Sequence, residues 1–349
     1  MRAESEQETP EVPARAPEER PNARAEEPEL RDARVPDFFI VGQPKSGTTA
    51  LYEMLRTHPQ IFMPDFKEPR FYASDLPSRF QAPRASGLPP ETYEDYLALF
   101  APAAPGQLVG EASTAYIWSH TAAARIAQAR PQAKIIAILR EPAAYMSSLH
   151  LQLLQIRVET AKTLRKALAL EEERRAGRAV PKEMANWPQV LLYTDRVRYV
   201  EQLRRYHEVF PREQVLVLIY DDFRADNEGT VRRVLRFLGV DEDAPVAASR
   251  ANPSLRMRSL RADAMVRSVT VGGNPAAVAL RRAMKTVLPE SQRERLRGAI
   301  WMRLVFGSPR APDERLIHEL RRRFQPEVRA LSEYLGRDLL ELWGYDELD

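Results

Sequence analysis

The sequence predicts an α/β fold: a three-layer sandwich with a central, mostly parallel sheet, helices on both faces and a helical C-terminal region. Three observations predict it. Short continuous apolar runs recur at Asp37–Val41, Lys134–Leu139 and Gln214–Tyr220, and such runs mark strands covered on both faces. Helical spacing follows them, and strands that alternate with helices need a parallel sheet, because each crossover helix must lie on a face. After Gly239 the chain turns mainly helical and arginine-rich.

Each element follows in order. Residues 1–34 are polar, charged and punctuated by proline; they cannot bury enough apolar surface to offset ordering entropy, so a disordered tail is expected. One domain is expected over 35–349. It opens with a strand at Asp37–Val41, a turn at Gly42–Gly47 and a helix at Thr48–Arg56, where Leu51, Met54 and Leu55 share a face. A strand at Gln107–Glu111 and a helix at Thr121–Arg130 come next, then the Lys134–Leu139 strand and a helix at Ala143–Gln155. Val190–Val209 is expected as one helix with Val197, Val200, Leu203 and Tyr206 at core spacing. Glu228–Leu238 is a helix closed by Gly239 as C-cap, and Leu331–Trp343 ends the helical region. Residues 156–190 are charged and patterned differently, as a helical excursion or a lid over the site.

Composition excludes several classes. The 349 residues, 44% hydrophobic, suit one large domain. A formal charge of +3 is small for a nucleic-acid binder, and Asp195, Glu201 and Glu319 interrupt the arginine-rich faces, so no nucleic-acid partner is expected. With no cysteine, thiolate chemistry and cysteine-bound metals are excluded. The five histidines are scattered, and no metal site is expected. No apolar run reaches the roughly 18–20 residues of a membrane span, and the N-terminus lacks the apolar core of a secretory signal. A cytoplasmic location is the expectation.

Gly42-Gln43-Pro44-Lys45-Ser46-Gly47-Thr48-Thr49 lies between a strand and a helix. A helix N-terminus presents unpaired N–H groups and a partial positive charge, so it binds phosphate. Gly47 permits close backbone approach, Thr48 and Thr49 add hydroxyls, and Lys45 adds a full charge. In the Walker A loop, Gly-x-x-x-x-Gly-Lys-Ser/Thr, the lysine follows the second glycine; here Lys45 precedes Gly47, so an ATP or GTP loop fits poorly. The second anchor is Arg140, which ends an apolar strand. Ligands of open parallel sheets bind at the carboxyl ends of strands, and arginine's planar fork suits phosphate. Ser148 lies two turns into the following helix.

Pro-Lys-Ser-Gly-Thr-Thr after an apolar strand resembles the 5′-phosphosulfate loop of sulfotransferases that use 3′-phosphoadenosine-5′-phosphosulfate (PAPS). Arg140-Glu141-Pro142 with Ser148 eight positions on resembles the family's 3′-phosphate motif. The resemblance implies a P-loop-like fold with PAPS as donor and no metal. It implies that Lys45 steadies the leaving phosphate oxygen, that Ser46, Gly47, Thr48 and Thr49 hold the 5′-phosphate, and that Arg140 and Ser148 hold the 3′-phosphate. Asn252–Ser259 resembles the late loop that closes over the nucleotide, with Arg256 and Arg258 as further 3′-phosphate candidates. Tyr199–Tyr206 and Gly336–Trp343 resemble blocks of bacterial members.

Phe66-Lys67-Glu68-Pro69-Arg70-Phe71-Tyr72 resembles the Lys-Glu-x-His-Phe-Phe segment of heparan-sulfate-type members, which implies that Glu68 is the general base. The chain departs from that pattern at Arg70, where the family has His, and at Ala112 in Gly110–Tyr116, where it has Lys. In relatives that act on heparan chains those two residues help hold an acidic sugar, so the resemblance carries the transfer chemistry rather than a heparan-like acceptor. His120 and His150 are alternative bases. The expected activity is in-line transfer of a sulfuryl group from PAPS to a hydroxyl or amine of a glycan, glycolipid or small molecule. The alternatives are a P-loop nucleotide kinase or NTPase, with Asp221 as its magnesium-binding acid, and a non-catalytic nucleotide-binding module.

Overall fold

The protein is described by a computed structural model covering residues 34–76, 89–185, 187–245 and 313–348, with the backbone alone at 256–257 and 306–307. The expected tail, 1–34, lies outside these residues except for Arg34.

Five parallel strands form the central sheet: β1 (Phe38–Gly42), β2 (Ile61–Phe62), β3 (Leu108–Ala112), β4 (Lys134–Leu139) and β5 (Val215–Ile219), in the order β2-β3-β1-β4-β5. The chain runs out to β2, returns through β3, then passes β1 to reach β4 and β5. All five carboxyl ends therefore open on one edge, with β1 at the centre. The residues of β1 are buried on both faces. Phe38 and Ile40 join Leu51, Leu55, Val234 and Leu235 in one core layer. Phe39 points the other way, edge-on to Tyr72 at 5.9 Å between ring centres. Burial on both faces is why these strands read as continuous apolar runs.

The helices flank this sheet. They are α1 (Thr48–Arg56), α2 (Tyr93–Ala98), α3 (Ala122–Ala129), α4 (Pro142–Gln155), α5 (Leu164–Ala169), α6 (Glu171–Arg175), α7 (Tyr199–His207), α8 (Tyr220–Ala225) and α9 (Asn227–Leu238). Gly239 closes α9 in the left-handed conformation, as expected. The C-terminal region is helical: α10 (Glu314–Leu335) packs on α4 and α7, and α11 (Leu339–Trp343) folds back on α10. Two short antiparallel strands, β6 (Arg256–Met257) and β7 (Phe306–Gly307), lie beside α4.

One expected helix is corrected. Val190–Val209 is not continuous: 3-10 turns at Pro188–Leu191 and Thr194–Val197 precede α7. Side chains take the groups that a helix would pair. The Arg196 carbonyl accepts from the Gln43 and Gln202 amides at 2.7 and 3.2 Å, and the Val200 N–H donates to Glu327 at 3.0 Å. The i→i+4 bond from Val200 to Arg196 is thereby replaced at both ends.

Over 156–190, expected as a helical excursion or a lid, the described residues form α5, α6 and 3-10 turns at Lys182–Met184 and Pro188–Leu191. A fully buried ion pair closes this segment on itself: Arg174 donates to both Glu159 oxygens at 2.8 and 2.7 Å, and the Tyr193 hydroxyl, just beyond it, adds a bond to Glu159 at 2.9 Å.

Candidate active site

A cleft of about 500 Å³ opens along the carboxyl edge of the sheet. Each strand delivers a side chain to it. Glu68 comes after β2, Thr114 after β3, Lys45 after β1, Arg140 after β4 and Tyr220 after β5. Strand order thus becomes the order of groups along the cleft.

The loop after β1 turns sharply. Lys45 and Gly47 both have positive φ, 65° and 87°, and Gly47 is the N-cap of α1. A Cβ at Gly47 would sit 2.8 Å from the buried Phe223 ring, so only glycine fits there. Arg140 braces the loop by donating to the Lys45 carbonyl at 2.9 Å, while its guanidinium lies over Tyr220 at 4.7 Å. Arg140 is itself fixed from behind, because its carbonyl accepts from the Tyr199 hydroxyl at 2.7 Å. Burial and the Arg140 charge both pull the Lys45 ammonium below the usual lysine range. An anion between the two cations would relieve that cost.

The buried hydroxyls of Ser46 and Ser148 are among those with no hydrogen-bond partner among the described residues. Ser148 lines the cleft, and a buried orphan hydroxyl facing an anion-sized cleft fits a phosphate. Ser46 is a fully buried residue of the loop and does not line the cleft. Thr48 and Thr49 line it, and the Thr49 hydroxyl accepts from Lys67 at 3.2 Å. Arg256 is described only as a backbone position in β6, beside the helix that carries Ser148. Arg258 lies outside the described residues.

Glu68 sits across the cleft, its side chain 13% exposed. Its N–H donates to the Ala112 carbonyl at 3.0 Å, which lays this segment along the end of β3. Its carboxylate accepts from the Thr114 N–H at 3.0 Å and the Thr114 hydroxyl at 2.8 Å, with Lys67 and Arg70 each 3.5 Å away. Burial pushes its pKa up, but Lys67, Arg70 and the Thr114 bonds outweigh burial and hold the carboxyl below the usual range. It is therefore ionised at neutral pH and faces the cleft. Of the alternative bases, His150 is buried and bonded to the Ala161 carbonyl, and His120 is exposed; neither lines the cleft. Asp221 accepts from the Trp343 indole at 3.0 Å, so the acid that a kinase reading needs has a structural task.

Sequence reasoning missed part of the wall. Trp118 follows β3, Trp187 and Val190 come from the excursion, and Arg196 comes from the 3-10 turn before α7. The available signal was two tryptophans and an arginine in loops, without a motif to join them.

A family model described as "Sulfotransferase family" matches residues 36–244, more than half of the chain. The chain belongs to the sulfotransferase family. Among its relatives is carbohydrate sulfotransferase 15 of Mus musculus, 28% identical over 259 residues that cover 59% of this chain and 44% of that protein. Another is the human bifunctional heparan sulfate N-deacetylase/N-sulfotransferase 3, 29% identical over 214 residues, covering 59% and 22%. The chain thus spans less than half the length of these curated relatives. The crystal structure of a sulfotransferase from Alicyclobacillus acidocaldarius superposes with a TM-score of 0.59 at 28% identity, covering 87% of this chain and 97% of that one. The P-loop-like three-layer expectation holds: a central parallel sheet, a strand–loop–helix opening and a helical C-terminal region.

Proposed function

We propose that the protein moves a sulfuryl group from PAPS to a hydroxyl or amine on a glycan, glycolipid or small-molecule acceptor. One observation carries this reading: a single cleft joins a cationic phosphate-type loop, with Lys45 beside Arg140 and the orphan hydroxyl of Ser148, to an ionised, inward-facing Glu68. Family membership supports the reaction type. The names of the relatives, carbohydrate and heparan sulfate sulfotransferases, support a glycan among the acceptors.

In this mechanism the bound donor supplies the sulfuryl group. Thr48, Thr49 and the N-terminal N–H groups of α1 receive the 5′-phosphate, and Arg140 and Ser148 receive the 3′-phosphate. Glu68 takes the acceptor proton as the new S–O or S–N bond forms. The S–O bond to the donor's 5′-phosphate breaks, its electron pair stays on the phosphate oxygen, and Lys45 stabilises that charge. Preorganised charge of this kind is typically the largest contribution to such catalysis.

The test is calorimetric titration with adenosine 3′,5′-bisphosphate (PAP), with ATP and Arg140→Ala as controls. Tight binding that ATP does not match and that Arg140→Ala weakens is the expected result. No binding, or preference for ATP with magnesium, overturns the donor assignment.

A further inference from the structure

Arg196 is a buried cation that the donor reading does not use. It is 4% exposed, yet it lines the cleft. Its guanidinium lies flat on Trp118, 3.4 Å from the ring centre, and Trp187 stacks on Trp118 at 6.1 Å. Stacking leaves the donor edges of the fork to find partners in the plane. Those partners are scarce. Nη2 reaches the Val190 carbonyl at 3.5 Å, and Nε has no partner among the described residues. Among the same residues no carboxylate forms an ion pair with Arg196. The nearest acid in sequence, Asp195, is held by Arg175 through bonds of 2.7 and 2.8 Å.

The other groups around it supply no paired anion, and Asp195 attracts it less than Tyr145 does. Tyr145 of α4 and the Arg70 guanidinium are the leading electrostatic neighbours, and Arg70 adds repulsion. Burial pulls the Arg196 pKa down to about 10, so it remains charged at neutral pH. A buried cation without a counter-ion is costly, and the fold is built to keep this one. The Gln43 and Gln202 amides pin its backbone carbonyl at 2.7 and 3.2 Å, and Gln43 belongs to the loop that carries Lys45. The position of Arg196 is thus tied to the loop that carries Lys45, while Arg196 lines the same cleft as Glu68 with Nε left without a partner among the described residues.

We propose that Arg196 is a specificity-determining residue that binds an oxyanion, a carboxylate or sulfate, carried by the acceptor. The inference rests on the sulfuryl-transfer reading of the cleft. Trp118 and Trp187 hold the guanidinium plane, Gln43 sets its register against the donor loop, and Arg70 adds a second positive charge nearby. Acceptors that present an anion beside the reacting hydroxyl are preferred over neutral ones of the same shape.

The test uses PAP-loaded protein and two matched pairs of probes: 4-nitrophenyl β-D-glucuronide with the corresponding glucoside, and 4-hydroxybenzoate with 4-hydroxybenzamide. Dissociation constants are measured by calorimetry for the parent, Arg196→Met and Arg196→Lys. The expected result is a preference of about tenfold or more for the anionic member of at least one pair, the size of one charge-assisted hydrogen bond. Arg196→Met abolishes that preference, Arg196→Lys restores part of it, and PAP affinity is unchanged throughout. A merely structural role would not move the ratio within a matched pair. Equal affinities within both pairs, or a preference that survives Arg196→Met, overturns the proposal. So does Arg196→Met weakening PAPS relative to PAP without changing either ratio, which would give Arg196 to the donor's sulfuryl group. Failure of PAP itself to bind is a separate result and counts against the donor reading instead.

Discussion

Glu111 offers a prediction whose size follows from the structure. It is fully buried in β3, and one carboxylate oxygen accepts from the Tyr96 and Tyr116 hydroxyls at 2.7 and 3.0 Å. Burial pushes its pKa up; bonds from Ser113, Tyr96 and Tyr116 offset part of that, the Glu68 charge adds to it, and the outcome is about 7. A folded pKa above the usual 4.5 means that the folded state holds the proton while the unfolded chain loses it. Stability is therefore full below 4.5 and declines as pH rises towards 7. At about 1.4 kcal/mol per pH unit, the loss is about 3 kcal/mol. Glu111→Gln copies the protonated form and removes this slope. Urea unfolding of parent and variant from pH 4.5 to 8 measures it. The stability of Glu111→Gln relative to the parent should grow by about 3 kcal/mol over that range. A difference independent of pH would refute the argument. Glu68→Gln removes the like charge and should move the parent's midpoint to lower pH.

The remaining predictions concern the cleft. Lys45→Ala should lower turnover by about 10²–10³-fold, and activity within about threefold of the parent would remove Lys45 from the mechanism. Because the Lys45 pKa lies below the usual 10.5, PAP affinity should fall as pH rises through a range where an ordinary lysine is still charged; calorimetry at alkaline pH checks this. Glu68→Gln should lower turnover by about 10²–10⁴-fold with PAP affinity intact. Since the Glu68 pKa is depressed, its carboxylate and the stability it contributes are present above 4.5 and lost only as pH falls through the folded value, so a steady-state pH profile should show no acid limb from Glu68 above 4.5. Gly47→Ala should cost about 1–3 kcal/mol, because its φ is 87° and the new Cβ would meet Phe223; thermal unfolding of that variant checks the cost.

The side of the cleft that carries Lys45 and Arg140 was legible in the sequence because its residues are local. Lys45, Gly47, Thr48 and Thr49 are adjacent, and the apolar strand and helical spacing around them state their geometry. Arg140 and Ser148 were readable because they sit on one strand end and the helix that follows. Arg196 was not. It falls where helical spacing runs unbroken in the sequence, and the helix gives way where Gln43, over 150 residues earlier, and Gln202 take the Arg196 carbonyl while Glu327 takes the Val200 N–H. The pairing of Glu68 with Thr114 is likewise a product of strand order, because β2 returns beside β3 and lays the two loops together. Local propensity cannot report either contact, since both depend on chain crossings.

Strand order also bears on how one cleft accommodates an in-line reaction. The segment of Glu68 lies along β3 on the side away from β1, so roughly two strand spacings, about 10 Å, separate it from the Lys45 loop. The proposed transfer needs a comparable span: a hydrogen bond from base to nucleophile, a near-attack distance to sulfur, the bond to the leaving oxygen and a hydrogen bond to the cation, roughly 10 Å in total. Lys67 tightens that span, since it touches Thr49 at 3.2 Å and Glu68 at 3.5 Å and so ties the two ends together. The carboxyl pair at the acceptor end is then explained by the same geometry. Glu111, one strand behind, is pushed towards its neutral form while Glu68 is held ionised. Environments that drive two neighbouring carboxyls apart in pKa assign one to hold a proton and the other to accept one, which leaves Glu68 as the charged group facing the acceptor at neutral pH.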